Sequence, residues 1–410
     1  MISKENNTLG FNHYLFLWFG AAVSIAEILT GGLLAPLGFQ SGLAAIVLGH
    51  VVGTLILILG GLIGAQERIP SILSTRISFG TYGSYLFSVL NILQLVGWTA
   101  VMIIAAARSA NEISTMLWNI NQLSVWVIGI GGLVLLWIAL GREGGFKKAN
   151  MVAVFLLFGI TVMLSQVVFN DSTALSTSPI GGMSFGEGLE LSVIMPLSWL
   201  PLIADYTRFA KHKKSAVLGS GLGYFIGSCW MYIIGLGAAL VAGNPEPSAM
   251  MLAANLGLSA LGIVILATVT TTFLDAYSAG VSFANIFPTF NEKHVALVMT
   301  VIGTLVALGV DIEQYEGFLL IIGSVFSPLF AVLLTEYFVI KNRQLRDDVL
   351  VNWGALLVWA LGVGLYYQFI TMEFVLGATI PVMIITAVLY RIIWGYTKQW
   401  NYCKKFPLAS

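Results

Sequence analysis

Long apolar runs separated by short polar breaks recur from one end of this 410-residue chain to the other. About 20 such residues in a helix cross roughly 30 Å of hydrocarbon, and a segment in lipid must satisfy its own backbone polar groups, which favours helices. The pattern predicts twelve spans, near residues 15 to 38, 43 to 64, 81 to 107, 122 to 140, 149 to 169, 188 to 209, 215 to 242, 256 to 287, 294 to 310, 316 to 340, 352 to 371 and 374 to 395.

Two of these spans break the rule of apolar continuity. The first carries Gly20, Ser24, Glu27 and then Thr30-Gly31-Gly32 at mid-depth, where the backbone is predicted to unwind. A carboxyl group at the bilayer centre is costly unless it faces a wet cavity or a partner. The sixth holds Pro196 and Pro201 on either side of Ser198 and Trp199, and each proline removes a backbone donor and crowds the preceding turn. These are spans one and six, so a repeat of five spans relates them, and because five is odd the second copy enters the membrane inverted. Interrupted helices at matching positions of two inverted halves point to a midplane site in a secondary transporter. The expected organisation is one transmembrane domain over 1–410, with repeats at 15–169 and 188–340, two peripheral spans at 352–395 and a tail at 396–410.

Composition agrees. With 58% hydrophobic and 9% charged residues, the chain cannot coat a soluble globule of its size. Net charge is zero, yet in the twelve-span arrangement eighteen of the nineteen Lys and Arg fall on one side and only Arg108 on the other. Basic loops mark the cytoplasmic side, so both termini are expected there, in a bacterial-type inner membrane. The N-terminus lacks a cleavable signal pattern, and Cys229 and Cys403 are expected as free thiols. His13, His50, His212 and His294 are scattered and no phosphate-binding Gly-rich lysine loop occurs, which argues against a metal enzyme or an ATP-driven pump. A channel would need a continuous polar pore, whereas the polar positions cluster at mid-depth. Arg108 and Glu112, four apart, are expected to pair on one helix face, and Asp205 with Arg208 suggests an ion pair or gate at the cytoplasmic end of span six.

The segments Ala26-Glu-Ile-Leu-Thr-Gly-Gly32, Gly97-Trp98, Ala204-Asp-Tyr-Thr-Arg-Phe209, Thr270-Thr271, Ser282-Phe-Ala-Asn-Ile286 and Glu336-Tyr337 resemble, in this order and over nearly the whole chain, the nucleobase-cation symport family of cytosine and hydantoin permeases. Within it the sequence looks most like hydroxymethylpyrimidine transporters of the CytX type, linked to thiamine precursor salvage. The resemblance implies an all-α, LeuT-like fold: two intertwined inverted repeats, with spans one, two, six and seven rocking against a scaffold that contains three and eight. It implies a sodium site of carbonyls from Ala21, Ser24 and Ala267 and hydroxyls of Thr270 and Thr271; a threonine bonding back to its own helix is the bland alternative. It also implies that Trp98 stacks the planar substrate. Pro196 stands where the family has a second aromatic, with Trp199 three residues later, and Asp275 lies near the place of an absent asparagine in span eight.

Where cytosine-type relatives have a small hydroxyl residue, this chain has Glu27. A carboxyl group can accept from an amine and, when protonated, donate to a ring nitrogen; ionised, it can hold a protonated ring. Glu27, Gln94, Trp98, Ser198, Trp199, Thr272 and Asp275 are therefore the candidate substrate contacts, with His50 as a possible structural partner of Glu27. The expected activity is sodium-coupled import of an aminopyrimidine such as hydroxymethylpyrimidine. Import of cytosine, purine or another nucleobase, or coupling to protons, is the alternative. No cofactor beyond the coupling ion, no nucleic acid and no obligatory oligomer is expected.

Overall fold

The computed structural model describes residues 9–140, 144–176, 178–179, 181–254, 256–310, 314–397 and 402–404. In chain order its helices are α1 (Phe11–Ala22), α2 (Ile25–Leu33), α3 (Gly38–Glu67), α4 (Ser71–Ser74), α5 (Arg76–Trp118), α6 (Leu123–Leu140), α7 (Gly144–Asn170), α8 (Ser172–Leu175), α9 (Phe185–Ser198), α10 (Leu200–Thr207), α11 (Lys213–Ala242), α12 (Pro247–Ala253), α13 (Gly257–Thr271), α14 (Phe273–Ile286), α15 (Glu292–Ala307), α16 (Tyr315–Leu334), α17 (Trp353–Thr371) and α18 (Thr379–Thr397). All twelve predicted spans have a helical counterpart. Nine segments among the described residues are long and apolar enough to cross a membrane unaided. Of the other three spans, the first is split into α1 and α2, and α2 is followed at once by α3; α15 has only 16 residues, and the apolar part of α18 is similarly short. Among the described residues the strands form one small antiparallel ribbon, Val349–Asn352 with Tyr402–Lys404, which ties part of the expected tail to the loop before α17, and a single bridge joins Leu9 to Ala210.

Helix contacts repeat under a shift of five spans. Span one (α1, α2) packs on span seven (α11), and span two (α3) packs on span six (α9, α10); span three (α5) touches span nine (α15) as span eight (α13, α14) touches span four (α6); span five (α7) meets span eight as span ten (α16) meets span three. The two inner packings rest on glycine ladders. On α11, a Cβ at Gly219 would stand 2.7 Å from the Phe11 carbonyl oxygen, and Gly223, Gly227 and Gly235 similarly abut Leu15, Phe19 and Ile28. On α3, a Cβ at Gly53 would stand 2.8 Å from the Val193 carbonyl oxygen, with Gly49, Gly60 and Gly64 facing Ser192, Leu200 and Ala204. Lipid offers no hydrophobic force between helices, so close backbone approach supplies the packing energy instead.

Outside this body, large apolar side chains such as Phe16, Leu55, Leu93, Leu305 and Leu357 are exposed, as a lipid-facing surface requires. At one end, Arg68 donates to the carbonyls of Arg208 and Ala210, and Arg76 pairs with Asp347 and Asn285, so the basic loops after spans two, six and ten meet. At the other end Arg108 pairs with Glu246 at 3.2 Å. This corrects the expected pairing of Arg108 with Glu112: the neighbouring loop brings its carboxylate to the guanidinium.

Candidate functional site

The breaks in spans one and six open onto one cavity. In span one the helix stops at Ala22, Val23 and Ser24 leave helical geometry (φ −77°, ψ 79°; φ −138°, ψ 160°), and α2 restarts at Ile25. The expected unwinding at Thr30-Gly31-Gly32 is thus misplaced: those residues are helical, and their glycines serve packing, Gly31 against the Tyr232 backbone and Gly32 against Met250 and Pro245. The Phe19 and Ala22 carbonyls are taken by Val23 and Ser24 N–H groups, whereas the Ala21 carbonyl has no donor among the described residues. Span six breaks at a single residue, Trp199 (φ −86°, ψ −8°), between α9 and α10. The chain there kinks rather than extends, because Trp199 O still accepts from Leu202 and Ile203. Span eight, by contrast, stays helical through Thr272 (φ −57°, ψ −17°) between α13 and α14, where Thr272 N–H donates to the Thr268 carbonyl and Ala276 N–H to the Thr272 carbonyl.

The cavity is lined by Ala21, Ser24 and Glu27 from span one, Gln94, Trp98 and Met102 from span three, Met195, Ser198, Trp199 and Leu202 from span six, and Thr271 and Asp275 from span eight. Six of the seven candidate substrate contacts are brought together. The seventh, Thr272, is not on the wall; its hydroxyl donates to the Thr268 carbonyl of its own helix at 2.7 Å. Of the candidate sodium ligands, Ala21, Ser24 and Thr271 share the cavity, Ala267 lies behind it and accepts from Thr271 Oγ1 at 2.9 Å, and the side chain of Thr270 lies outside the described residues.

Two indoles frame the space. Trp98, 7% exposed, is held edge-on by Phe318 (5.4 Å between ring centres) and Tyr315 (6.0 Å). Trp199 meets Trp18 edge-on at 5.6 Å and Tyr224 at 6.5 Å. Such perpendicular contacts set the ring position through the aromatic quadrupole. Gln94 donates from Nε2 to the Ser198 carbonyl at 2.7 Å, fixing span three to the break of span six, while its buried Oε1 has no partner among the described residues.

Glu27 is 1% exposed and sits in the first turn of α2. Oε1 is bonded to the Tyr224 hydroxyl at 2.9 Å and Oε2 to the Ser228 hydroxyl at 2.6 Å; Ser228 is in turn 2.6 Å from His50 Nε2. His50 is therefore a partner of Glu27 at one remove. Asp275, 8% exposed, has no hydrogen-bond partner among the described residues. Below the cavity, Asp205 does not form the expected ion pair with Arg208: Asp205 Oδ1 accepts from the Ser71 N–H at 3.0 Å, and Arg208 Nε donates to the Asp205 backbone carbonyl at 3.1 Å. The short α4 turn reaches the carboxylate first because Ser71 also caps the Ala204 N–H with its hydroxyl.

Sequence reading missed Tyr224 and Ser228. A signal was present, since Tyr224, Ser228 and Tyr232 form a polar stripe at helical spacing on span seven amid its glycines.

Known proteins match this arrangement along nearly its whole length. The chain is 27% identical over 387 residues to the cytosine permease of Escherichia coli strain K12, covering 92% of this chain and 91% of that one. It is 21% identical over 400 residues to the allantoin permease of Bacillus subtilis strain 168, covering 87% and 81%. In three dimensions it is similar to Mhp1, a nucleobase-cation-symport-1 family transporter seen in a closed conformation with bromovinylhydantoin bound, with a TM-score of 0.80 at 18% identity over 98% of this chain and 94% of that one. The fold is accordingly all-α, with the LeuT-like inverted repeat. Residues 1–394 match the model of permeases for cytosine/purines, uracil, thiamine and allantoin, and the chain belongs to that family.

Proposed function

We propose that this permease imports an aminopyrimidine of the hydroxymethylpyrimidine type across the inner membrane, driven by sodium entry. The observation that carries this reading is the joint presence of two carboxyl side chains, Glu27 and Asp275, and two indoles, Trp98 and Trp199, on one buried wall. A flat heterocycle stacks on indole without directional demands, and an exocyclic amine can donate to a carboxyl oxygen. Sodium would take the Ala21 and Ser24 carbonyls and the Thr271 hydroxyl; the donor-free Ala21 carbonyl and the broken backbone at Ser24 supply the hard oxygens such an ion prefers. Transport would follow from rocking of spans one, two, six and seven against spans three, four, eight and nine, with repeats at 15–169 and 188–340 and both termini cytoplasmic. The kinship with a cytosine permease favours cytosine as the second candidate substrate.

The test is ligand-induced thermal stabilisation of purified protein by hydroxymethylpyrimidine, cytosine, thiamine, hydantoin and uracil, each in sodium and in choline at fixed pH. Hydroxymethylpyrimidine should give the largest shift, greater in sodium, and Glu27→Leu should remove it. A larger shift with cytosine would replace the substrate, and equal shifts in the two salts would remove sodium.

A further inference from the structure

The chain Glu27–Ser228–His50 has more contacts than hydrogens unless it holds an extra proton. His50 Nδ1 lies 2.8 Å from the Ile46 carbonyl oxygen, which only accepts, so Nδ1 carries a hydrogen. Nε2 and Glu27 Oε2 each lie 2.6 Å from Ser228 Oγ. Ser228 owns one hydrogen and can donate to one of them. The other contact needs a hydrogen from its far partner. Either Glu27 is the acid and donates to Ser228, which donates to Nε2, or an imidazolium donates to Ser228, which donates to a carboxylate. Both arrangements are neutral overall; they differ in whether two opposite charges face each other.

The surroundings decide between them. Glu27 is 1% exposed and His50 is fully buried, and two ions there would lose more hydration than their attraction returns. Facing them are Tyr224, Cys229 and Tyr232 on α11, Thr30 on α2, Tyr315 on α16, Ser192 on α9 and, across the cavity, Gln94 on α5 and Asp275 on α14. None is a cation.

We propose that Glu27 acts as the neutral acid, its proton turned toward Ser228 and away from the cavity, with His50 as the positioning residue that holds it there. Glu27 then offers the cavity acceptor lone pairs only, Oε1 sharing its capacity with the Tyr224 hydroxyl. The site selects uncharged heterocycles that present an N–H donor, such as an exocyclic amine, and does not select ring cations. This rests on the reading of Glu27 as a substrate contact.

The test uses hydroxymethylpyrimidine and cytosine as probes on the purified full chain. Glu27→Gln places an N–H toward Ser228 and a carbonyl toward Tyr224, so affinity should stay within about threefold, while Glu27→Leu should lose about tenfold or more. Equal loss in both variants means the ligand needs a carboxylate, which overturns the proposal and leaves the substrate reading intact. No loss in either removes Glu27 from the site and overturns both. Infrared spectra provide a readout that needs no ligand: a carboxylic-acid band should vanish in Glu27→Gln and move in His50→Leu. A wild-type carboxylate band that Glu27→Gln removes would overturn the proposal.

Discussion

Replacing Trp98 by alanine separates the stacking platform from the rest of the site. Trp98 is buried on the cavity wall and clamped edge-on by Phe318 and Tyr315. Stacking of a base-like ring on an aromatic side chain contributes about 1–3 kcal/mol by alanine substitution, so Kd should rise by about 5- to 150-fold. The same change removes two edge-to-face contacts of about 0.5–1.5 kcal/mol each, so the ligand-free protein should also melt lower. Binding must therefore be measured on folded, monodisperse protein, by titration calorimetry with the ligand that stabilises wild type best. Trp98→Phe keeps a ring of smaller area and should fall between the two. A wild-type Kd in folded Trp98→Ala would refute the platform.

Other perturbations follow from the packing and the polar contacts. Gly223→Val should block docking of span one, because a side chain there meets the Leu15 backbone; size-exclusion profiles in detergent should show aggregation, whereas Gly129→Ala, in open space, should behave as wild type. Thr271→Val removes the hydroxyl assigned to sodium, so ligand-induced stabilisation should become the same in sodium and choline while binding in choline stays within about threefold. Arg108 and Glu246 are partly exposed, so a double-mutant cycle on thermal stability should return a coupling of about 1 kcal/mol or less, and the cycle of Arg108 with Glu112 should return none.

Much of the architecture was legible because lipid imposes simple rules. Twelve apolar runs and helix interruptions in spans one and six are local in sequence, and each maps onto a separate physical demand. Glu27, Trp98, Trp199 and Asp275 stood out because polar or bulky residues at mid-depth need a reason. Their meeting in one cavity was not local, since it depends on four spans converging.

The chain by itself determined that it lives in a membrane, where its apolar helical segments lie and which few side chains could carry chemistry, because hydrophobic length and the cost of a buried carboxyl group are properties of short segments. Only the tertiary structure decided where span one breaks, at Val23 and Ser24 rather than at Thr30-Gly31-Gly32, because those glycines are spent on close approach to spans seven and its following loop. It also decided the partners of each ionisable group. Arg108 goes to Glu246, Asp205 to the Ser71 amide, and Glu27 to Tyr224 and Ser228, since a hydrogen bond is made with whichever group packing brings within 3 Å or so, whatever its distance along the chain.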